Sequence, residues 1–440
     1  MTIAVAWGAW CRTRLLFRSL SRQPGLALVW LAIAFCGILF LITNRTPPDF
    51  DTASYVMMSV GTEWDEIAVA PFAYRPAFPE ILGAFHRLTG LHIEAVYRVA
   101  AFLSSAGLVV VLGLIARRFI EDTPRTMLIA LIGASGFWQI KYAAHFDTMI
   151  DIHAMFLVAL GWYLILLGHA LAAGMLGVVG LAGKEWLGIT AAVSAYVLMF
   201  GKGAERRRKP VQAILIAVAA ALVALGLRHF IDVVGTVQAF DPVNDPGWWD
   251  RLRHSTLSTN RLWNILFSVA SIWVPVLVLV TRPQVITAVR YLATERLAGA
   301  FALHFGLVLV LTVLGGTNLG VFTSYAAPLL VTFLGIMAAN GTTARELALV
   351  LLISVVFNRL LMGVPDHTVD LDAFLDHVPP YHVRVNDATW WRLAELVGWL
   401  TVGWIGAAGL RRWTDRGPTV PATRETVEFS GGRDGSAADM

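Results

Sequence analysis

Charge and cysteine are both scarce in this 440-residue chain: 15% of its residues are Asp, Glu, Lys or Arg, and two are cysteine. A soluble chain carries roughly 25% charged residues, so a soluble enzyme and a disordered chain are excluded. Cys11 lies in the basic N-terminal segment and Cys36 inside the first apolar run, which leaves no disulfide framework and no reading of redox compartment. Lysine is rarer still, with Lys141, Lys184, Lys202 and Lys209 the only ones. A basic stripe is missing too: the net charge of +4 is spread over short clusters between apolar runs, so nucleic acid is not an expected partner. Hydrophobic residues, by contrast, make up 57% of the chain. They fall in uninterrupted runs of roughly 15 to 22 residues, the length of a membrane-spanning helix and too long for barrel strands. The predicted class is an all-α polytopic membrane protein, a bundle of about 11–12 transmembrane helices at about 20 residues per span.

Arg12, Arg14, Arg18 and Arg22 precede the first run, and Asn44-Arg45-Thr46-Pro47-Pro48 follows it in place of a small-residue cleavage site. It therefore reads as an uncleaved span with the N-terminus in the cytoplasm. One threading then puts every other basic cluster on the same side: Arg117-Arg118, Arg206 to Lys209, Arg282 with Arg290 and Arg296, Arg345, and Arg411-Arg412. It places spans near 25–43, 96–116, 126–140, 152–170, 211–229, 263–281, 299–314, 323–339, 347–363 and 391–409, with 172–200 as two short spans meeting near Gly183-Lys184-Glu185-Trp186. Residues 1–410 form a single transmembrane domain on this reading, and 411–440 a disordered cytoplasmic tail.

The outer loops fall at about 44–95, 141–151, 230–262, 315–322 and 364–390, and they hold most of the aspartates. The first is long enough to be functional. Ile81, Leu82, Phe85 and Leu88 recur in it at helical spacing, as expected of a helix lying on the membrane surface.

Four polar segments interrupt the apolar pattern on that side. Asp49-Phe50-Asp51-Thr52-Ala53-Ser54-Tyr55 puts a carboxylate at the membrane surface. Partial burial suits such a group to general-base work on an acceptor hydroxyl. The same aspartates equally suit the cap of a helix starting at Thr52. Next, Pro71-Phe72-Ala73-Tyr74-Arg75-Pro76 holds one arginine at the start of the amphipathic helix. Its donor fork matches a phosphate, and nonspecific lipid headgroups are the plainer use. In His145-Phe146-Asp147-Thr148-Met149-Ile150-Asp151-Ile152-His153, the two aspartates are spaced to share a helix face. Histidines among them invite a metal, but the spacing matches no standard zinc pattern, so no metal ligands are assigned. His145, Asp147 and Asp151 are instead expected to line a water-filled cavity. Last, Lys184 and Glu185 stand adjacent within an apolar stretch, where even a paired charge is expensive. They are read either as a structural pair or as residues brought to the outer surface, where they would line the same cavity. Softer candidates are Arg228-His229 with Asp232, Asn318 with Tyr325, and the run from Asp366 to His377.

The order of these pieces resembles the GT-C superfamily, polytopic glycosyltransferases that take a sugar from a polyprenyl-phosphate carrier. The likeness rests on the acidic motif from Asp51 to Tyr55 after one span, on Phe72-Ala73-Tyr74-Arg75-Pro76-Ala77-Phe78-Pro79, and on Glu185 after a basic residue, and it covers roughly the first 200 residues. The resemblance implies a GT-C-like bundle with interfacial helices in a large outer first loop. It also implies a hexosyl- or pentosyltransferase in the bacterial cytoplasmic membrane, facing outward. Catalysis would fall to Asp51 or Asp49; Arg75, Lys184, Glu185, Tyr55, Tyr74, Asp147, His145 and Asp151 would bind substrate or carrier phosphate. The implied partners are a polyprenyl-phosphate-linked sugar donor, a lipid or glycan acceptor, and membrane lipids. A divalent cation, Mg or Mn, is left open as cofactor. The rival reading is a transporter or lipid flippase with Lys184, Glu185 and Asp147 as substrate or proton sites in broken helices.

Overall fold

A computed structural model describes residues 24–43, 50–61, 69–70, 74–200, 209–231, 235–236, 259–294, 297–314, 319–364 and 387–414. The first apolar run is helix α1 (Pro24–Ile42), with proline at its start, where no intrahelical N–H is needed. The first loop carries α2 (Phe50–Val60), β1 (Val69–Ala70) and α3 (Ala77–Thr89). α3 is amphipathic as expected: Pro79 and Gly83 are buried while Ile81, Phe85 and Leu88 are exposed, and Gly90 ends it in the left-handed conformation at φ 69. It lies so close on α2 that a side-chain carbon at Gly83 would meet the Ser59 carbonyl oxygen.

α4 (Ile93–Arg117) is a full-length helix, whereas the run expected to span 126–140 breaks at Ser135-Gly136 into α5 (Thr123–Ala134) and α6 (Phe137–Ala144). Asp122 caps α5, accepting from the Arg125 backbone N–H at 2.9 Å. α7 (Asp151–Leu166) leads into α8 (Ala170–Gly180), a 3-10 turn at Glu185–Leu187, and α9 (Gly188–Phe200). The stretch 172–200 is thus a hairpin of two short helices turning where the sequence placed the turn. Small residues let α8 and α9 touch: a side-chain carbon on Gly177 would stand 2.5 Å from the Ala191 nitrogen.

The second half comprises α10 (Lys209–Phe230), β2 (Gly235–Thr236), α11 (Thr259–Val278), α12 (Pro283–Thr294), α13 (Ala298–Leu314), α14 (Leu319–Ser324), α15 (Ala327–Ala339), α16 (Ala344–Phe357) and α17 (Asp387–Thr414). β1 and β2 pair in parallel over two residues, Val69 with Gly235 and Ala70 with Thr236, tying the loop after α1 to the loop after α10. α15 is the axis of the bundle, buried from Ala327 to Ala338 and packed against α4, α5, α7 and α12. Its only polar side chain, Thr332, accepts from the Trp162 indole N–H at 2.9 Å and donates to its own helix.

Each expected span coincides with a helix or a pair of helices, but not each helix is a full span. Among the described residues, length and composition qualify four to cross a bilayer: Gly25–Ile42, Ile93–Arg117, Lys209–Phe230 and Trp390–Arg412. A fifth is Ile265–Val278 with Pro283–Ala293, if that pair, bent by 114°, is one span. The others are apolar helices of 10–17 residues, such as Asp151–Leu166 and Ala327–Ala339. Some loop limits also shift. The loop expected at 315–322 contains the start of α14, α17 begins before 390, and α17 runs on to Thr414, past the expected start of the tail. Residues 415–440, expected to be disordered, lie outside the described residues.

Ionic side chains gather at the two ends of the bundle. At the end holding the α4 C-terminus, Arg125 donates to the Ala338 carbonyl at 2.8 Å, and Arg282 pairs with Glu346, which also closes the capping box of α16 with Thr343. The opposite end holds the candidate site. The hairpin contact is testable: Gly177→Ala is expected to lower thermal stability in detergent by about 1–3 kcal/mol through overpacking. Gly306→Ala in α13, where nothing lies within 4 Å, should be neutral or slightly stabilising.

Candidate functional site

Arg75 is the centre of the opposite end. The segment before α3 is held there by a backbone hydrogen bond from Ala77 N–H to the Ala182 carbonyl at 3.0 Å, which brings the first loop onto the α8–α9 turn. A side-chain carbon at Gly183 would stand 2.6 Å from the Phe78 ring, so glycine permits this approach. The Arg75 guanidinium then faces Glu185 with its fork: Nε donates to Oε2 at 2.8 Å and Nη2 to Oε1 at 2.5 Å. Nη1 donates to the Tyr55 hydroxyl at 2.7 Å. Tyr55 is itself held by α4, because the Tyr97 hydroxyl donates to the Tyr55 carbonyl at 3.0 Å.

A second ion pair lies beside the first. Lys184 Nζ stands 3.1 Å from Asp151 Oδ1 and 3.2 Å from Oδ2, and the Tyr325 hydroxyl donates to Oδ1 at 3.1 Å. Trp186 closes the floor, stacked on Phe322 at 4.3 Å and on Tyr325 at 5.3 Å between ring centroids. The cluster thus draws on α2, the segment before α3, the start of α7, the α8–α9 turn and the link between α14 and α15. The pairs differ in depth. Both partners of Lys184–Asp151 are buried, at 6% and 3% exposed, whereas Arg75 at 8% faces a Glu185 at 48%.

These surroundings set the ionisation. For Glu185, partial desolvation would raise the pKa, but Arg75 and Lys184 outweigh it and hold the carboxyl at about 2. Burial pushes the Tyr55 phenol well above its ordinary value despite the Arg75 charge, so it acts as a neutral hydrogen-bonding group. Arg75 stays charged: burial works against it, and Glu185 and Tyr55 more than offset that.

The other expected residues distribute as follows. Tyr74 is buried, with the Arg228 guanidinium 5.9 Å above its ring, which brings one of the softer candidates to the first loop. Asp147 and Asp151 do not share a helix face: 145–150 are non-helical, and α7 starts only at Asp151. Asp147 consequently turns toward Arg98 of α4, at 3.9 Å, and Asp151 toward Lys184. His145 is buried with its Nε2 3.5 Å from Lys141 Nζ, which donates to the Met362 carbonyl at 2.8 Å. Asp51 occupies the second position of α2, which begins at Phe50 and not at Thr52, so it lies in the first turn and is not the cap; its side chain lies outside the described residues. Asp49, Asp232, Asn318 and 365–386 lie outside them too.

Among the described residues no three His, Cys, Asp or Glu side chains converge as a metal site. Asp151 and Glu185 are each matched to a cation, so these two carboxylates do not fit a divalent ion. Sequence reasoning did not single out Arg98, Tyr97 or Ser104, whose hydroxyl meets His153 Nδ1 at 2.7 Å. Polar side chains within a mostly apolar helix are the signal that could have found them.

Two outcomes test this geometry. Lys184→Met leaves Asp151 buried without its cation, and stability in detergent should fall by about 3–5 kcal/mol; Lys184→Met with Asp151→Leu should recover much of that. Glu185 has a lowered folded pKa. Its contribution is therefore present above the ordinary value of 4.5 and is lost as pH falls toward about 2. Across that window the melting temperature of wild type should drop more than that of Glu185→Gln, by a modest amount because the group is half exposed.

No family model, curated protein or solved structure matches the chain.

Proposed function

We propose that the chain is a membrane glycosyltransferase of GT-C type, with a bundle of about 11–12 spans once the short helices are counted as crossings. It moves a hexose or pentose from a polyprenyl-phosphate carrier to a lipid or glycan acceptor on the outer face of a bacterial cytoplasmic membrane. The observation that carries this reading is the cluster of Arg75, Lys184, Asp151 and Glu185 at one end of an apolar bundle, next to the helix that carries Asp51. Buried ionisable groups at membrane depth are costly and usually functional. The threading by basic residues puts this end outside, where polyprenyl-linked donors are used.

In the reaction, the acceptor oxygen attacks the anomeric carbon from the face opposite the phosphate. The bond from that carbon to the carrier phosphate oxygen breaks, and the carrier leaves with the electron pair. Asp51 or Asp49 takes the acceptor proton. Charge grows on the departing phosphate, so the cations Arg75 and Lys184 stabilise the transition state more than the ground state. Tyr55 orients Arg75, Tyr325 orients Asp151, and the anomeric centre inverts.

The broken helices α5–α6 and the half-length α8–α9 hairpin also suit a transporter or flippase, and one experiment separates the two. The protein is reconstituted in liposomes with a panel of labelled polyprenyl-phosphate sugars and membrane lipid acceptors. Transfer by wild type that falls at least about 100-fold in Asp51→Asn is expected, with Asp49→Asn identifying which aspartate is the base. No transfer from any donor, together with movement of the labelled lipid across the bilayer, sinks the enzyme reading.

A further inference from the structure

The Arg75–Glu185 and Lys184–Asp151 pairs look alike as contacts but differ in what can move. Asp151 is buried, gripped through both oxygens by Lys184 and bonded by the Tyr325 hydroxyl; nothing polar can replace it without dismantling three elements. Glu185 sits at the rim, 48% exposed, on a short turn, while its partner Arg75 is 8% exposed and is separately fixed by Tyr55. If the Glu185 side chain rotates outward, Arg75 keeps its place and presents Nε and Nη2 as a fork aimed at the rim.

We infer that Glu185 is a built-in occupant of an anion site: its carboxylate fills the Arg75 fork until the phosphate group of a ligand takes its place. A phosphate offers the fork two oxygens in the same bidentate arrangement as a carboxylate, and Lys184 next in sequence adds a positive field where Glu185 now stands. With Glu185 turned out, the described residues of the cluster keep both cations, Arg75 and Lys184, and lose one carboxylate. Parting a buried guanidinium from a carboxylate that its fork holds is costly, so the open form is scarce until an anion arrives. The inference rests on the reading of Arg75 as the carrier-phosphate site and adds that this site is gated by competition. Affinity in wild type is then reduced by the fraction of time the fork is open.

The test is equilibrium binding to the full chain in nanodiscs, with farnesyl phosphate, inorganic phosphate and farnesol as probes. Glu185→Gln should bind the phosphate probes about tenfold or more tightly than wild type, as expected if the fork is open a tenth of the time or less. Arg75→Ala should abolish binding in both backgrounds. A gain with both phosphate probes means the group alone is recognised; a gain with farnesyl phosphate only means the lipid headgroup is. Either supports the inference, whereas an equal gain with farnesol, or no gain with any probe, overturns it. A second measurement needs no substitution: farnesyl phosphate should increase carbodiimide labelling of Glu185 in wild type, read by mass spectrometry, because the displaced carboxylate faces water. Unchanged or reduced labelling overturns it. Neither readout requires sugar transfer. Tighter binding without transfer leaves the anion site standing and removes the transferase; transfer without tighter binding does the reverse.

Discussion

The cost of taking ions out of water governs this molecule. An apolar bundle can hold Arg75, Lys184 and Asp151 at its end only if each meets an opposite charge in good geometry, since removing one partner leaves a charge that the surroundings cannot solvate. With these ionic residues in the chain, that requirement favours the meetings that pair them. The first loop has to reach the α8–α9 turn because Arg75 needs Glu185; α7 has to begin beside that turn because Asp151 needs Lys184; and the link before α15 has to pass close because Tyr325 completes the aspartate's hydrogen bonds. Nonpolar packing between helices is permissive about such details, and the ion pairs are not.

The two ends of the bundle use the same chemistry for different purposes. At the end marked by Arg282 and Glu346, the carboxylate is also the partner of its own helix N-terminus through Thr343, so the pair is locked into the start of α16 and serves as a staple. At the other end the carboxylates belong to turns and helix starts, and one of them is half in water. The gradient in burial from Asp151 to Glu185 separates a pair closed off from water from one that reaches it.

Much of this was legible in the chain. Uninterrupted apolar runs announced the helices, and the four lysines were so few that Lys184 beside Glu185 in an apolar stretch demanded an explanation, which a hairpin of two short helices supplies. Arg75 and Tyr55 were visible as polar residues in a long loop expected to share a cavity with Lys184 and Glu185, but the direct pairing of Arg75 with Glu185 was left to the fold, because a contact spanning 110 residues has no local periodicity. The Asp147–Asp151 spacing misled: four residues imply a shared face only within a helix, and the helix starts at the second aspartate. The break at Ser135-Gly136 was hidden for a related reason, since hydropathy continues through it. Full spans and half-length helices have the same composition, and only their length in the fold tells them apart.

α15 carries a consequence for how the chain is made. A helix buried on every face from Ala327 to Ala338 cannot be left resting against lipid once the protein is finished, yet it is short for an independently stable insertion. Its walls α4, α5, α7 and α12 all precede it in the sequence. Synthesis from the N-terminus therefore makes each of these walls before α15, and α16 and α17 after it. A rearrangement of the chain that placed α15 ahead of its walls would preserve every contact in the finished structure, yet α15 would then emerge with none of these walls to pack against.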